Sequence, residues 1–127
     1  MKTIREAAEE FGVTTRTIRY YEELGMLKPE RTNSNTRLFS NAEIAKLKLI
    51  DRGKKYGFTL EEIKEMVLLF DADRSGKKQL ERTIEYGKKQ IAEMERRIEE
   101  LEKTKQEMEF LLGEFDEKLS KLRGMGK

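Results

Sequence analysis

Arg16, Arg19 and Tyr20 stand at i, i+3 and i+4, the spacing that brings three side chains onto one face of a helix. Ile18 and Tyr21, with Val13 just ahead, take the opposite, apolar phase. Thr14, Thr15 and Thr17 crowd the predicted start of that helix, adding hydroxyls to its unpaired backbone N–H groups. Guanidinium forks match guanine edges, while hydroxyls and helix starts suit phosphate oxygens. Thr3, heading another predicted helix, offers the same phosphate chemistry. Arg31, Asn35 and Arg37 fall on a predicted hairpin, and Arg52, Lys54 and Lys55 form a second basic cluster. Taken singly, each has a plain structural reading as a solvated charge or a helix cap. Their joint placement on a helix start, a helix face and a hairpin predicts a grip on duplex DNA. The expected contacts are Thr3, Thr14, Thr15, Arg16, Thr17, Arg19, Tyr20, Arg31, Asn35, Arg37 and Lys55.

Composition removes most other chemistry. The 127 residues contain no Cys and no His, so disulfides, thiolate metal sites, Cys nucleophiles and imidazole ligands or bases are excluded. No Gly-rich phosphate loop and no nucleophile with its base stands out, so neither an enzyme nor a cofactor is expected. Asp71-x-Asp73-x-Ser75-Gly76 resembles the opening of a calcium loop, but the twelfth position holds Arg82 where a bidentate Glu belongs. The longest apolar run, Met66 to Phe70, is five residues, far short of a membrane span. The opening MKTIREAAEE lacks the apolar core of a secretory signal, so a cytoplasmic protein is expected. Charge is split: residues 1–58 hold 12 Lys/Arg against 8 Asp/Glu, and residues 59–127 hold 15 against 17.

The elements that must position these residues follow from caps and periodicity. Thr3-x-x-Glu6, Ser40-x-x-Glu43 and Thr59-x-x-Glu62 are three capping-box patterns, each ahead of an apolar stripe. The first helix buries Ile4, Ala7, Ala8 and Phe11 and closes at Gly12; the second runs from Thr14 or Thr15 to about Leu24. Two short helices joined by a Gly-containing turn predict a helix-turn-helix unit. Met26 to Phe39, with Pro29 and Asn33-Ser34-Asn35, predicts a β-hairpin wing. A third helix directs Ile44, Leu47 and Ile50 inward, with Gly53 and Gly57 punctuating its end, and a fourth directs Leu60, Ile63, Met66, Val67 and Phe70 inward. Residues 71–76 form a connector.

From Leu80 the apolar spacing alternates four and three: Leu80, Ile84, Ile91, Met94, Ile98, Leu101, Met108, Leu112, Phe115, Leu119 and Leu122, broken at Gly87 and Lys105. This heptad seam predicts a dimerising coiled-coil helix of roughly 60 Å at about 1.5 Å per residue. A helix this long has too little of its own chain to pack on. Charges at the flanking positions, acidic at Glu81, Glu95, Glu102, Glu109 and Asp116 but basic at Arg97 and Lys118, leave its orientation open. The expected organisation is a DNA-binding domain over residues 1–75, a coiled coil over 76–122 and a short tail over 123–127. The fold class is mainly α, a winged helix-turn-helix with a small hairpin followed by a long helix. The competing reading is a coiled-coil module whose N-terminal domain grips protein.

The stretch Val13-Thr14-Thr15-Arg16-Thr17-Ile18-Arg19-Tyr20-Tyr21-Glu22-Glu23-Leu24-Gly25-Met26-Leu27-Lys28-Pro29 resembles the signature of the MerR family of bacterial transcription regulators. Arg37-Leu38-Phe39-Ser40 and Gly57-Phe58-Thr59-Leu60-Glu61-Glu62-Ile63 extend the match over about residues 3–70. Leu47 to Phe58 and Leu69-Phe70-Asp71 further resemble the subgroup that controls leucine and isovalerate utilisation. The family resemblance implies a homodimer through antiparallel long helices on a pseudo-palindromic promoter whose spacer is too long for RNA polymerase, activation coming from DNA distortion. It implies that Arg16 approaches base edges while Arg19, Tyr20 and Arg37 hold phosphates. The family's wing usually carries Gly-Tyr-Arg-x-Tyr; here Asn35-Thr36-Arg37-Leu38-Phe39 stands instead, losing one hydroxyl and one large ring. Cysteine-based metal sensing, found in part of the family, is excluded by composition. Phe110 and Leu111, off the seam near the end of the coiled coil, read first as interdomain packing. If a small-molecule effector binds, for which the subgroup resemblance suggests a coenzyme A thioester or another breakdown intermediate, they mark its expected place.

Overall fold

The structure, a computed structural model, describes residues 1–125. The chain divides into two compact units, Met1–Gly87 and Lys88–Lys127. In the first, β1 (Lys2–Thr3) leads into α1 (Ile4–Phe11) and α2 (Thr15–Glu23). The wing strands β2 (Glu30–Arg31) and β3 (Arg37–Phe39) follow, then α3 (Asn41–Lys55), α4 (Leu60–Ala72) and the start of α5 (Lys77–Met125). The expected hairpin forms from β2 and β3, and β1 joins its β3 edge, giving three antiparallel strands in the order β1-β3-β2. Lys2 and Thr3 pair with Phe39 and Leu38, tying the chain's start to the wing.

Caps fix where the helices begin. Thr3 Oγ1 accepts from Glu6 N at 3.2 Å while Thr3 N donates to Glu6 Oε1 at 2.9 Å, and Thr59 and Glu62 repeat the arrangement. Such caps are each worth about 1 kcal/mol. The third box is only half formed. Ser40 Oγ accepts from Glu43 N, but the Glu43 carboxylate turns inward, accepting from Lys46 Nζ at 2.9 Å and from Lys28 N at 2.9 Å. Gly12 ends α1 with φ 62°, a left-handed conformation that favours glycine.

One core joins the elements: Ala7 and Ala8 of α1, Ile18 and Tyr21 of α2, Met26 and Leu27, Phe39 of the wing, Ile44, Leu47 and Ile50 of α3, and Ile63, Met66 and Val67 of α4. Leu60, expected inward, is exposed at the start of α4. Gly53 does not end α3, which runs to Lys55; it is buried where α4 crosses, and an added Cβ would stand 2.6 Å from Ile63 Cγ1. At the other end of the same contact, Lys46 is buried between the carboxylates of Glu43 and Asp71. The opening turns of α5 dock on α4 through Glu65, which pairs with Arg82 at 2.7 Å and accepts from the Tyr86 hydroxyl. That hydroxyl, and after it the guanidinium, hold the Glu65 carboxyl below the usual carboxylate range.

In the second unit α5 continues to Met125, so residues 123–125 of the expected tail are helical; residues 126–127 lie outside the described residues. Ile91, Met94, Ile98, Leu101, Met108, Leu112, Phe115 and Leu119 are all exposed along it, as Leu80 and Ile84 are in the first unit. Among the described residues no helix is long and apolar enough to cross a membrane.

Candidate nucleic-acid interface

Thr14 caps α2: its Oγ1 accepts from Thr17 N at 3.1 Å and lies 2.9 Å from Thr17 Oγ1. With Ile18 and Tyr21 buried, the helix presents Arg16, Arg19 and Tyr20 to solvent, as their spacing requires. Arg19 Nη2 reaches back to Thr15 Oγ1 at 3.4 Å, a weak tether that leaves the guanidinium exposed. Thr3 ends β1 in the sheet and heads α1, its hydroxyl oxygen already engaged as the cap.

In the wing, Asn35 takes φ 64° at the turn, and Thr32 and Thr36 close the loop through Thr36 N to Thr32 Oγ1 at 3.1 Å. Arg31 and Arg37 face each other across β2 and β3 and both bond Glu22 of α2. The wing is thereby held to the end of the helix that carries Arg16. Asp51, Arg52, Lys54 and Lys55 crowd the last turn of α3, where the basic members complement the helix dipole. Lys54 Nζ donates to the Tyr21 hydroxyl at 3.0 Å, joining this cluster to the buried side of α2. Lys55 lies over the Tyr56 ring, 5.6 Å from its centroid. A cleft of about 570 Å³ runs between α2 and the start of α4, lined by Arg16, Thr17, Tyr20, Tyr21, Lys54, Phe58, Leu60 and Ile63.

The first unit therefore gathers the α2 residues, Thr3, the wing residues and Lys55 on one small domain. Phe110 and Leu111 belong to the second unit, where they line an open groove on α5 with Lys103, Gln106 and Glu107. Two participants escape a reading by face and charge. Glu22 ties both wing arginines, and its only sequence signal is its place three residues after Arg19 on the basic face. The Tyr21 hydroxyl, on an otherwise buried ring, anchors Lys54. The calcium-like connector has other occupants: Asp73 Oδ1 accepts from Ser75 N and Oγ, and Asp71 pairs with Lys46 and Arg74. Among the described residues no group of three or more His, Cys, Asp or Glu stands together as a metal site.

A helix-turn-helix with a wing packed against it, followed by a long helix, defines a winged-helix DNA-binding class of fold. Residues 2–68 match the model of the MerR HTH family regulatory proteins, and residues 44–111 match the MerR DNA-binding model. The chain belongs to the MerR family. It is 37% identical over 73 residues to the transcriptional regulator HmrR of Rhizobium leguminosarum bv. viciae, 57% of each chain. The chain thus spans little more than half the length of that curated relative. Among solved structures it resembles a MerR family regulator from Listeria monocytogenes, with TM-score 0.61 and 29% identity over 91% of this chain and 86% of that one. It also resembles HiNmlR, a MerR family regulator lacking the sensor domain and bound to promoter DNA (TM-score 0.54, 27% identity, 77% and 78% of the two chains).

Proposed function

We propose that this chain is a homodimeric, sequence-specific DNA-binding transcription regulator of the MerR type, acting in the cytoplasm without enzymatic chemistry. The observation that carries the reading is the exposed Arg16, Arg19 and Tyr20 face of α2, flanked by a wing whose two arginines are braced against the same helix. Arg16 reads base edges; Thr3, Thr14, Thr15, Thr17, Arg19, Tyr20, Arg31, Asn35, Arg37 and Lys55 hold the backbone. Residues 1–75 form the DNA-binding part and 76–122 the dimerising part, the exposed seam from Leu80 to Leu119 pairing with a second copy. HiNmlR, a relative in fold, is bound to promoter DNA. By distorting promoter DNA so that its two elements align for RNA polymerase, the dimer controls transcription.

The segment from Leu47 to Phe58 favours the subgroup that controls leucine and isovalerate utilisation. A coenzyme A thioester is the corresponding effector, received beside Phe110 and Leu111; calorimetry showing no heat with such thioesters, while DNA still binds, rejects it. The DNA-binding reading is tested by fluorescence anisotropy on a duplex from upstream of the chain's own gene. With six phosphates held by a dimer, affinity falls about a thousandfold between 50 and 200 mM salt. An affinity indifferent to salt contradicts the reading and favours a protein-gripping module.

A further inference from the structure

Arg31 and Arg37 are direct cross-strand partners, an arrangement of like charges that destabilises a strand pair unless an anion sits between them. Glu22 supplies it. Arg37 Nε donates to Glu22 Oε2 at 2.6 Å and Arg31 Nη2 to Glu22 Oε1 at 3.2 Å, one oxygen for each guanidinium. Arg31 Nη1 also donates to the Asn35 carbonyl at 3.3 Å, fixing its fork to the wing turn. The Glu22 and Arg37 side chains are each only 24% exposed, so the group is partly shielded from solvent. Two oxygens of one anion, each taken by a guanidinium, is also how arginines hold a phosphate.

We propose that Glu22 is an internal phosphate mimic, occupying the two-arginine seat of the wing and restraining its grip on the DNA backbone. The inference rests on the DNA-binding reading above and adds a residue that opposes binding to those that promote it. A backbone phosphate reaching Arg31 and Arg37 must displace or share them with a carboxylate whose own charge repels it. The wing therefore contributes less backbone affinity than two free arginines would, and less affinity for DNA of arbitrary sequence is the result.

The test measures binding of the full chain to a random-sequence duplex as salt is varied. Glu22→Gln keeps the shape of the side chain and removes its charge. It is expected to bind about three- to tenfold more tightly at low salt, with a slope of log affinity on log salt steeper by about 0.9 for each additional phosphate that the freed arginines neutralise. In an Arg31→Gln/Arg37→Gln background the same substitution is expected to lose most of its effect, keeping only the small gain from removing one negative charge near the backbone. Glu22→Gln that binds no more tightly, or more weakly, while circular dichroism shows it folded, overturns the proposal and leaves Glu22 with its bracing role alone. Should that variant not fold, Glu22→Asp decides: a carboxylate withdrawn by one methylene gives tighter binding if the proposal holds and no improvement if it fails. Wild-type protein that ignores duplexes altogether removes the DNA-binding reading itself, an outcome distinct from wild-type binding that Glu22→Gln leaves unimproved.

Discussion

Lys46→Met is expected to destabilise the fold strongly by stranding a buried carboxylate. Lys46 is 1% exposed, with its ammonium 2.9 Å from Glu43 Oε1 and 2.8 Å from Asp71 Oδ1. Methionine fills nearly the same volume, so packing is conserved and the charge alone is lost. Breaking a buried ion pair by removing one partner costs about 3–5 kcal/mol, because the other charge stays buried and uncompensated. Asp71 is partly relieved: its side chain is 20% exposed and keeps Arg74 at 2.9 Å. Glu43 is not, for it is 5% exposed and its carboxylate keeps the Lys28 N–H as its hydrogen-bond donor among the described residues. The loss therefore lies near the lower end, about 3 kcal/mol. Urea unfolding followed by circular dichroism, at one fixed protein concentration, measures it. Glu43→Gln added to Lys46→Met is expected to recover part of the loss, since the stranded charge is gone. A single-variant loss below about 1 kcal/mol, or no recovery in the double variant, refutes the assignment of Lys46 as the charge that makes burial of Glu43 tolerable.

Other consequences follow from the same geometry. Ile98→Asp places a carboxylate on the exposed seam and is expected to halve the sedimentation mass and weaken operator binding together; an unchanged mass rejects the seam as the dimer interface. The Glu65 carboxyl lies below its ordinary range through the Tyr86 hydroxyl first and Arg82 after it. A depressed carboxyl contributes stability at neutral pH that is lost as pH falls through its folded value. Glu65→Gln is therefore expected to be less stable than wild type at neutral pH, the gap closing on acidification; a gap constant with pH contradicts this.

Much of this architecture is written locally. Thr3 with Glu6 and Thr59 with Glu62 cap as their spacing requires, and the i, i+3, i+4 pattern correctly turns Ile18 and Tyr21 inward and Arg16 and Arg19 outward. What escapes a local reading depends on partners distant in the chain. Lys2 and Thr3 are too short a run to carry strand periodicity and become a strand only because β3 lies beside them. The Glu43 carboxylate leaves its cap because a buried ammonium and the Lys28 N–H compete for it, and Lys46 is buried, against the habit of lysine, because two carboxylates await it. Gly53 looks like a helix stop but serves as a close approach, a distinction that only the position of Ile63 draws. At the candidate interface, the outward face of α2 is legible from spacing. The role of Glu22 is not, since nothing in a single helix reveals that two wing arginines converge on it.

The most direct measurement is the ratio of affinities for the operator and for a scrambled duplex, taken for wild type and for Arg16→Ala at one salt concentration. If α2 reads base edges through Arg16, the variant loses about 1–3 kcal/mol of discrimination while its binding to the scrambled duplex changes little. Equal weakening on both duplexes, with the ratio preserved, would make Arg16 a backbone contact and contradict α2 as the reading helix.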